Sequence, residues 1–453
     1  EQAVKRADTR QSASLAMGLV KSIGSNRVFT NPEESLRITR MALKALTLEK
    51  CHQSLQSLWK DRDLTITLTS KAAPEDGAKV LTALYKKSQA VKVAPPEKKE
   101  DVSFAYTDFG KAGTVTSRRE IKDLGITQLI LSNNTRINLK RTNFQKNSIS
   151  MHARLGNGKL TQPTDKPSLD MFSSILLNAG GLGKHSSDDL QRITAGRNVG
   201  GNLSVDEDAF TMDGRTTEED LELQLQLLCA SITDPGYREE ALRQFHKMLP
   251  MISSQLKFTL SGAMAEMQEW ARGGDGRFAK PDPEVLAKYT ADDVKAWISP
   301  EFDDSYLEIS LVGDFDIEKT IPLILGTVGA LPTRSSTRPA LGKERQLKTP
   351  QLPATRKFTY TSKIPQAASM VGWRIPAVKE DIGELRRLNV LAAILDDRLR
   401  TKLREELGAT YSPQAHANAS MVFDYGNLMA MSIGAPEDVE KVTALIHEMG
   451  IEL

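Results

Sequence analysis

A chain of 453 residues is too long for one hydrophobic core, so two to four domains are expected. Hydrophobic residues make up 40% and charged residues 26%, and a net charge of +2 with 6% aromatics provides no basic, aromatic-bearing surface for nucleic acid. The strongest apolar run, Ile321 to Leu331, is broken by Pro322, Gly326 and Gly329 and falls short of the roughly 18 residues of a membrane-spanning helix, so such a span is excluded.

In chain order, the first clear element is a helix predicted after Thr47, which stands where an N-cap should, followed by a strand over Leu64 to Leu68. The same plan returns at Thr290, with a strand from Leu307 to Leu311, and the two capping threonines lie 243 residues apart. In both copies the strand starts 17 residues after the threonine and alternates polar with apolar side chains; turns follow at Ala73 to Gly77 and at Gly313 to Asp316. Cap, helix, strand and turn in the same order predict a duplicated α+β module.

Between the copies, Gln128 to Leu131, Thr135 to Arg141 and Ser148 to Leu155 read as strands, with Asn133-Asn134 turning the first into the second. Thr216 to Glu219 reads as a capping box opening a helix with Leu221, Leu225, Leu228 and Ile232 on one face. A later helix carries Leu388, Leu391, Leu395, Leu399 and Leu403 and is expected to stop at Gly408. Segments rich in Pro and Lys, or in Pro, Arg, Ser and Thr, mark linkers. The expected division is 1–92, the end of a preceding module; 93–110, a linker; 111–331, a complete module; 332–355, a second linker; and 356–453, the start of a final module. Both ends read as cut, so a fragment or processed piece of a longer protein is expected.

Candidate sites are few. Cys51 and Cys229 are far apart and suggest neither a disulfide framework nor a thiolate metal site. None of the six histidines (His52, His152, His185, His246, His416, His447) lies within four residues of another. His185 could pair with Asp188 or Asp189 at a helix start, against the plainer reading that Ser187 caps that helix. Gly183-Lys184 fails as a phosphate loop, because Asn178 stands at the first Gly position and His185 where Ser or Thr is needed. Arg192 and Arg197 read as a solvated helix face, Trp270 as core packing, and Arg272 to Gly276 as a loop that the sequence leaves undefined.

Five segments stand in order along the chain: Lys166-Pro-Ser-Leu-Asp-Met-Phe-Ser-Ser-Ile175, the Gly-rich Gly180 to Leu190, Val312 to Phe315, Gln366-Ala367 and Leu403 to Ser412. Together they resemble the pitrilysin/insulinase family of zinc metallopeptidases, the first the region of its inverted His-x-x-Glu-His motif and the second the Gly-rich turn of its inactive halves. The resemblance implies an α+β fold of tandem modules, each a mostly antiparallel sheet packed with helices. It maps the first zinc-binding His onto Met171, the general base onto Ser174, the second His onto Ile175 and the distal Glu near Met251 and Ile252, so every ligand is replaced and no zinc is expected in this chain.

The same resemblance places substrate-binding roles on Arg404 and Tyr411, although Asp397, Arg400 and Arg404 also stand at the spacing of a helix-surface ion ladder. The function it implies is the non-catalytic half of a zinc metalloendopeptidase, inactive alone. That half would line a substrate chamber and anchor peptide at a zinc site in a complementary half, in the same polypeptide or a homologous subunit. The alternative is a peptide-binding or assembly subunit with no catalysis. The expected partners are the catalytic half and a peptide substrate, and the periplasm is the compartment suggested by the architecture.

Overall fold

The computed structural model describes residues 1–59, 65–70, 72, 74–94, 102–378, 381–407 and 413–453, with side chains undescribed for 404–407. They fall into two compact units, Glu1–Ser103 and Phe104–Leu453.

The first unit is helical: α1 (Gln2–Lys5), α2 (Ser12–Gly24), α3 (Pro32–Lys44), α4 (Leu48–Trp59) and α5 (Gly77–Gln89). Asn31 caps α3 through a 2.8 Å bond from the Glu34 N–H, with Pro32 at the first helical position, where its missing N–H costs nothing. Thr47 caps α4 as predicted, its hydroxyl accepting from the Lys50 N–H at 3.2 Å. The strand expected after it does not form: residues 65–68 have no regular secondary structure, and Leu64 lies outside the described residues. A strand needs a partner for its backbone groups, and the described residues of this unit contain no other strand. Met17, Val20 and Ile23 on α2, Ile38 and Met41 on α3, and Leu55, Leu58 and Trp59 on α4 are all exposed.

The second unit is built on a seven-stranded sheet. Its strands are β1 (Val115–Ile121), β2 (Ile126–Leu131), β3 (Arg136–Arg141), β4 (Ile149–Leu155), β5 (Asn202–Val205), β6 (Phe210–Thr216) and β7 (Leu307–Gly313). The spatial order is β1-β2-β3-β7-β4-β6-β5, and only β3 and β7 pair in parallel. The helices are α6 (Leu169–Gly180), α7 (Ser187–Ile193), α8 (Leu221–Thr233), α9 (Glu239–Phe258), α10 (Leu260–Ala271), α11 (Pro283–Leu286), α12 (Ala291–Asp304) and α13 (Ile317–Gly326).

Alternation along the central strands divides the sheet into two faces. Leu129, Leu131, Ile137, Leu139, Ile149, Met151, Leu155, Leu307, Ile309 and Leu311 are buried in one core with Phe172 and Leu176 of α6, Leu225 and Leu228 of α8, Phe245 of α9 and Trp297 and Phe302 of α12. Thr290 caps α12 in a full capping box with Asp293. The box predicted at Thr216 is not a helix start. Thr216 ends β6, and α8 begins after Asp220, whose carboxylate is instead engaged by the Asn198 N–H at 2.8 Å and by Arg197 at 2.6 Å. The predicted apolar face of α8 is buried as expected.

Beyond the connecting segment lies a three-stranded antiparallel sheet, ordered β8-β10-β9, of β8 (Ala367–Arg374), β9 (Gln414–Ala419) and β10 (Gly426–Gly434). It packs on α14 (Ile382–Leu407) and α15 (Val439–Ile451), with Leu395, Leu399, Leu403, Leu428 and Ile446 fully or almost fully buried. The expected terminator Gly408 lies outside the described residues. Overall the unit is a mixed α+β structure of mostly antiparallel sheets packed with helices.

The two sheets are joined by the loop the sequence left undefined. Arg277 is buried, chelates Asp275 through Nε at 2.9 Å and Nη2 at 2.7 Å, donates to the Glu344 carbonyl at 2.7 Å and lies 4.9 Å from the Phe423 ring centroid. Arg272 sits between Phe278 and Tyr425, at 5.0 and 4.8 Å from their ring centroids. A guanidinium satisfies fork and aromatic face at once, which no other side chain does. Replacing Arg277 with Ala leaves the Asp275 carboxylate without its partner in a largely buried site. A loss of about 3 kcal/mol is expected, read as a lower midpoint in urea unfolding, with Arg277→Lys recovering only part of it.

Candidate functional site

The helix that would carry a metal motif is α6. Met171, Ser174 and Ile175 stand at i, i+3 and i+4 on it, beside the buried row of Leu169, Phe172 and Leu176. Met171 and Ile175 pack against that core, and the Ser174 hydroxyl donates to the Asp170 carbonyl at 2.9 Å within its own helix. The neighbouring α9 meets α6 through an edge-on contact of Phe172 and Phe245, 4.9 Å between centroids. On α9, Met251 is exposed and Ile252 packs toward the core. A thioether, a helix-bonded hydroxyl and alkyl groups do not make a site for a hard or borderline divalent cation. Zinc does not fit these residues, and among the described residues no group of three or more His, Cys, Asp and Glu is placed to hold a metal.

The proposed substrate anchors are covered only in part. Arg404 lies in the backbone of α14, its side chain outside the described residues, and Tyr411 lies outside them altogether. The ladder expected beside Arg404 differs: Arg400 pairs with Asp396 at 2.7 Å, one helical turn away, rather than with Asp397. Asp396 also accepts from the Ala415 N–H at 3.1 Å, tying α14 to β9.

The second face of the large sheet is polar. Asn138 donates to Glu308 at 2.7 Å and accepts from Gln128 at 2.9 Å, and His152 Nδ1 is 2.6 Å from Asp213. In register, His152 stands opposite Ser310 on one side and Asp213 on the other, and Asn138 opposite Ser310. Arg154 and Arg338 both engage Asp208. The result is a row of amide, hydroxyl, imidazole and carboxylate groups across neighbouring strands, which alternation predicts only as a wet face.

The Gly-rich turn is structural. Gly181 has φ +68°, and a Cβ on Gly180 would lie 1.8 Å from the Gly236 carbonyl oxygen, so this turn is pressed directly on the segment after α8. Ser186, not Ser187, caps α7, in a capping box with Asp189. His185 is a buried peg: its Nε2 accepts the Ala105 N–H at 2.9 Å and its ring stacks on Phe104. Tyr106 donates to Asp234 at 2.6 Å and accepts the Lys184 N–H at 2.6 Å; burial, and then the Asp234 carboxylate, push its phenol up to about 12. Phe104, Tyr106 and Asp234 carry no motif and went unnoticed in the sequence. Trp270 is another difference: it is half-buried and stands on the wall of a cleft, with Phe358 as its ring neighbour, rather than in a core.

Residues 288–453 match the family model described as the peptidase M16 inactive domain. The stromal processing peptidase of Arabidopsis thaliana is 27% identical over 225 residues, covering 48% of this chain and 18% of that protein. The probable zinc protease PqqL of Escherichia coli is 21% identical over 467 residues, covering 99% of this chain and 48% of that protein. The crystal structure of PqqL, called a periplasmic protease, superposes with a TM-score of 0.67 at 19% identity over 99% of this chain and 50% of that one. The ferredoxin protease FusC, solved in complex with Arabidopsis ferredoxin, superposes with a TM-score of 0.62 at 15% identity over 99% of this chain and 50% of that one. The chain therefore spans about half the length of these two proteases and less of the plant enzyme. Over residues 288–453 the chain matches the inactive domain of the M16 peptidases, and over nearly all of its length it shares the fold of these two proteases.

The His185 peg gives this site a pH dependence. Burial holds the imidazole below its ordinary value; Lys184 and Arg238 act in the same direction, against Asp189. The unfolded chain therefore takes up a proton before the folded one does, so the stability of this packing is present above the unfolded value of about 6.5 and is lost as the pH falls below it. Hydrogen exchange at the Ala105 amide, corrected for its intrinsic rate, should be faster at pH 5.5 than at pH 7. In His185→Gln, which keeps an acceptor but does not titrate, that acceleration should vanish.

Proposed function

We propose that this chain is the non-catalytic half of a zinc metalloendopeptidase, forming one wall of a substrate chamber whose metal site is carried by a complementary half. What supports the reading is that α6 is a packing helix whose Met171, Ser174 and Ile175, where the resemblance would put the metal motif, offer no ligand, beneath a sheet whose opposite face is polar. Zinc, in this reading, supplies the activated water from the other half. The residues of this chain bind and orient. The guanidinium of Arg404 donates to a substrate carbonyl or carboxylate, and the phenol of Tyr411 donates to the oxygen that gains charge as the peptide bond is attacked.

The exposed apolar residues on α2, α3 and α4 support the division in which residues 1–92 close a preceding module, followed by the linker 93–110, the module 111–331, the linker 332–355 and the final module from 356. The complementary half, in the same polypeptide or a homologous subunit, and a peptide substrate are the proposed partners, and the periplasm, after PqqL, is the proposed compartment.

The chain alone should leave a fluorogenic peptide uncut, and a complementary half with an intact His-x-x-Glu-His motif should give turnover in the mixture. Arg404→Ala and Tyr411→Phe should then each lower kcat on the order of a hundredfold, the scale of losing one donor to a developing oxyanion. Unchanged turnover in both variants would remove the anchor assignment. Tight association with no cleavage would favour an assembly or peptide-binding subunit instead.

A further inference from the structure

A cleft of about 660 Å³ opens between α10, the loop after it and the segment leading to the second sheet, lined among others by Glu266, Glu269, Trp270, Lys280, Lys348 and Arg356. The size suits one or two peptide side chains. Its walls are fixed: Gly273 has φ +69°, and a Cβ there would lie 1.3 Å from the Lys348 carbonyl oxygen, so the connecting segment rests on the loop backbone.

The charges of the cleft are unequally satisfied. Both acids are engaged by Lys280, whose Nζ lies 3.3 Å from Glu266 and whose backbone N–H donates to Glu269 at 2.9 Å. Lys348 and Arg356 have no carboxylate at ion-pairing distance among the described residues. The Arg356 guanidinium lies over the rings of Phe358 and Trp270, 5.3 and 6.0 Å from their centroids. A guanidinium held by its face on aromatic rings keeps its N–H edge for a planar acceptor, and a carboxylate fits that fork in two parallel bonds. Lys348 supplies a second, mobile cation, and the Trp270 ring offers an apolar surface beside them.

We infer that this cleft binds an acidic peptide segment, a Glu or Asp carboxylate between Arg356 and Lys348 with the apolar side chain of a neighbouring residue against Trp270. A small inorganic anion would use the two cations and leave the indole uncovered. The inference does not rest on the peptidase reading, since binding here requires no complementary half.

The test uses the 453-residue chain and the peptide acetyl-Gly-Leu-Glu-Phe-Glu-Gly-amide, followed by Trp270 emission and by calorimetry. Saturable binding is expected, with the emission change lost in Trp270→Phe. The Lys348→Ala/Arg356→Ala double variant should bind at least tenfold more weakly, without a shift in thermal midpoint, because neither side chain supports a core. Equal affinity for the peptide with Gln in place of both Glu residues would overturn the inference. So would undiminished binding by the double variant, or an emission change of the same size and affinity from inorganic phosphate alone.

Discussion

The pairing of β7 between β3 and β4 is the constraint on which the second unit depends. Ile309 lies opposite Ile137 on one side and Ala153 on the other, while Ser310 lies opposite Asn138 and His152. A slip of one residue would exchange those rows and put the core face into water. Because β7 follows β3 by so long a stretch of chain, the helices α6 to α12 all lie between the two strands in sequence. The apolar sides of α6, α8, α9, α11 and α12 close over one face, and the polar row across Gln128, Asn138, Ser310, His152 and Asp213 is the consequence on the other.

The same geometry explains what holds α6 in place. Positions 171, 174 and 175 flank the row formed by Leu169, Phe172 and Leu176 on the helix surface, close enough to the core to be partly buried. Met171 and Ile175 extend that row, since an unbranched thioether and a branched alkyl group both fill the margin of a core. The helix is held by this packing and by its contact with α9, neither of which depends on a bound ion.

What could be read from the sequence was whatever repeats with a period. The alternation in β2, β3, β4 and β7 and the leucine row of α14 are visible because one face of each is buried. β1 escaped notice because Val115 to Glu120 are all exposed, and β6 because its polar end runs through Asp213, Gly214 and Arg215. Local caps divide in the same way. Thr47 and Thr290 stand alone before their helices and were readable, whereas at Thr216 a strand end imitates a capping box and tertiary pairing decides between them. The resemblance drew attention to three positions on α6, but the polar row depends on register between strands far apart in sequence, and no local pattern encodes it.

The junction between the sheets shows the limit from another side. Its apolar part is only a small cluster around Leu160, Val422 and Phe423, drawn from distant segments, and beside it guanidinium groups are set against aromatic faces in and around a glycine-rich loop. Arg277 serves Asp275, the Glu344 carbonyl and the Phe423 ring together, and Arg272 serves Phe278 and Tyr425. Arg356, on the neighbouring segment, has the aromatic half of the same arrangement, over Trp270 and Phe358. It has no acid at its fork among the described residues. Where Arg277 is complete and buried it acts as a joint; where Arg356 is incomplete and open to a cleft, the unfilled acceptor position is available to another chain. One chemical device thus accounts for both the cohesion of the unit and the affinity proposed for its surface.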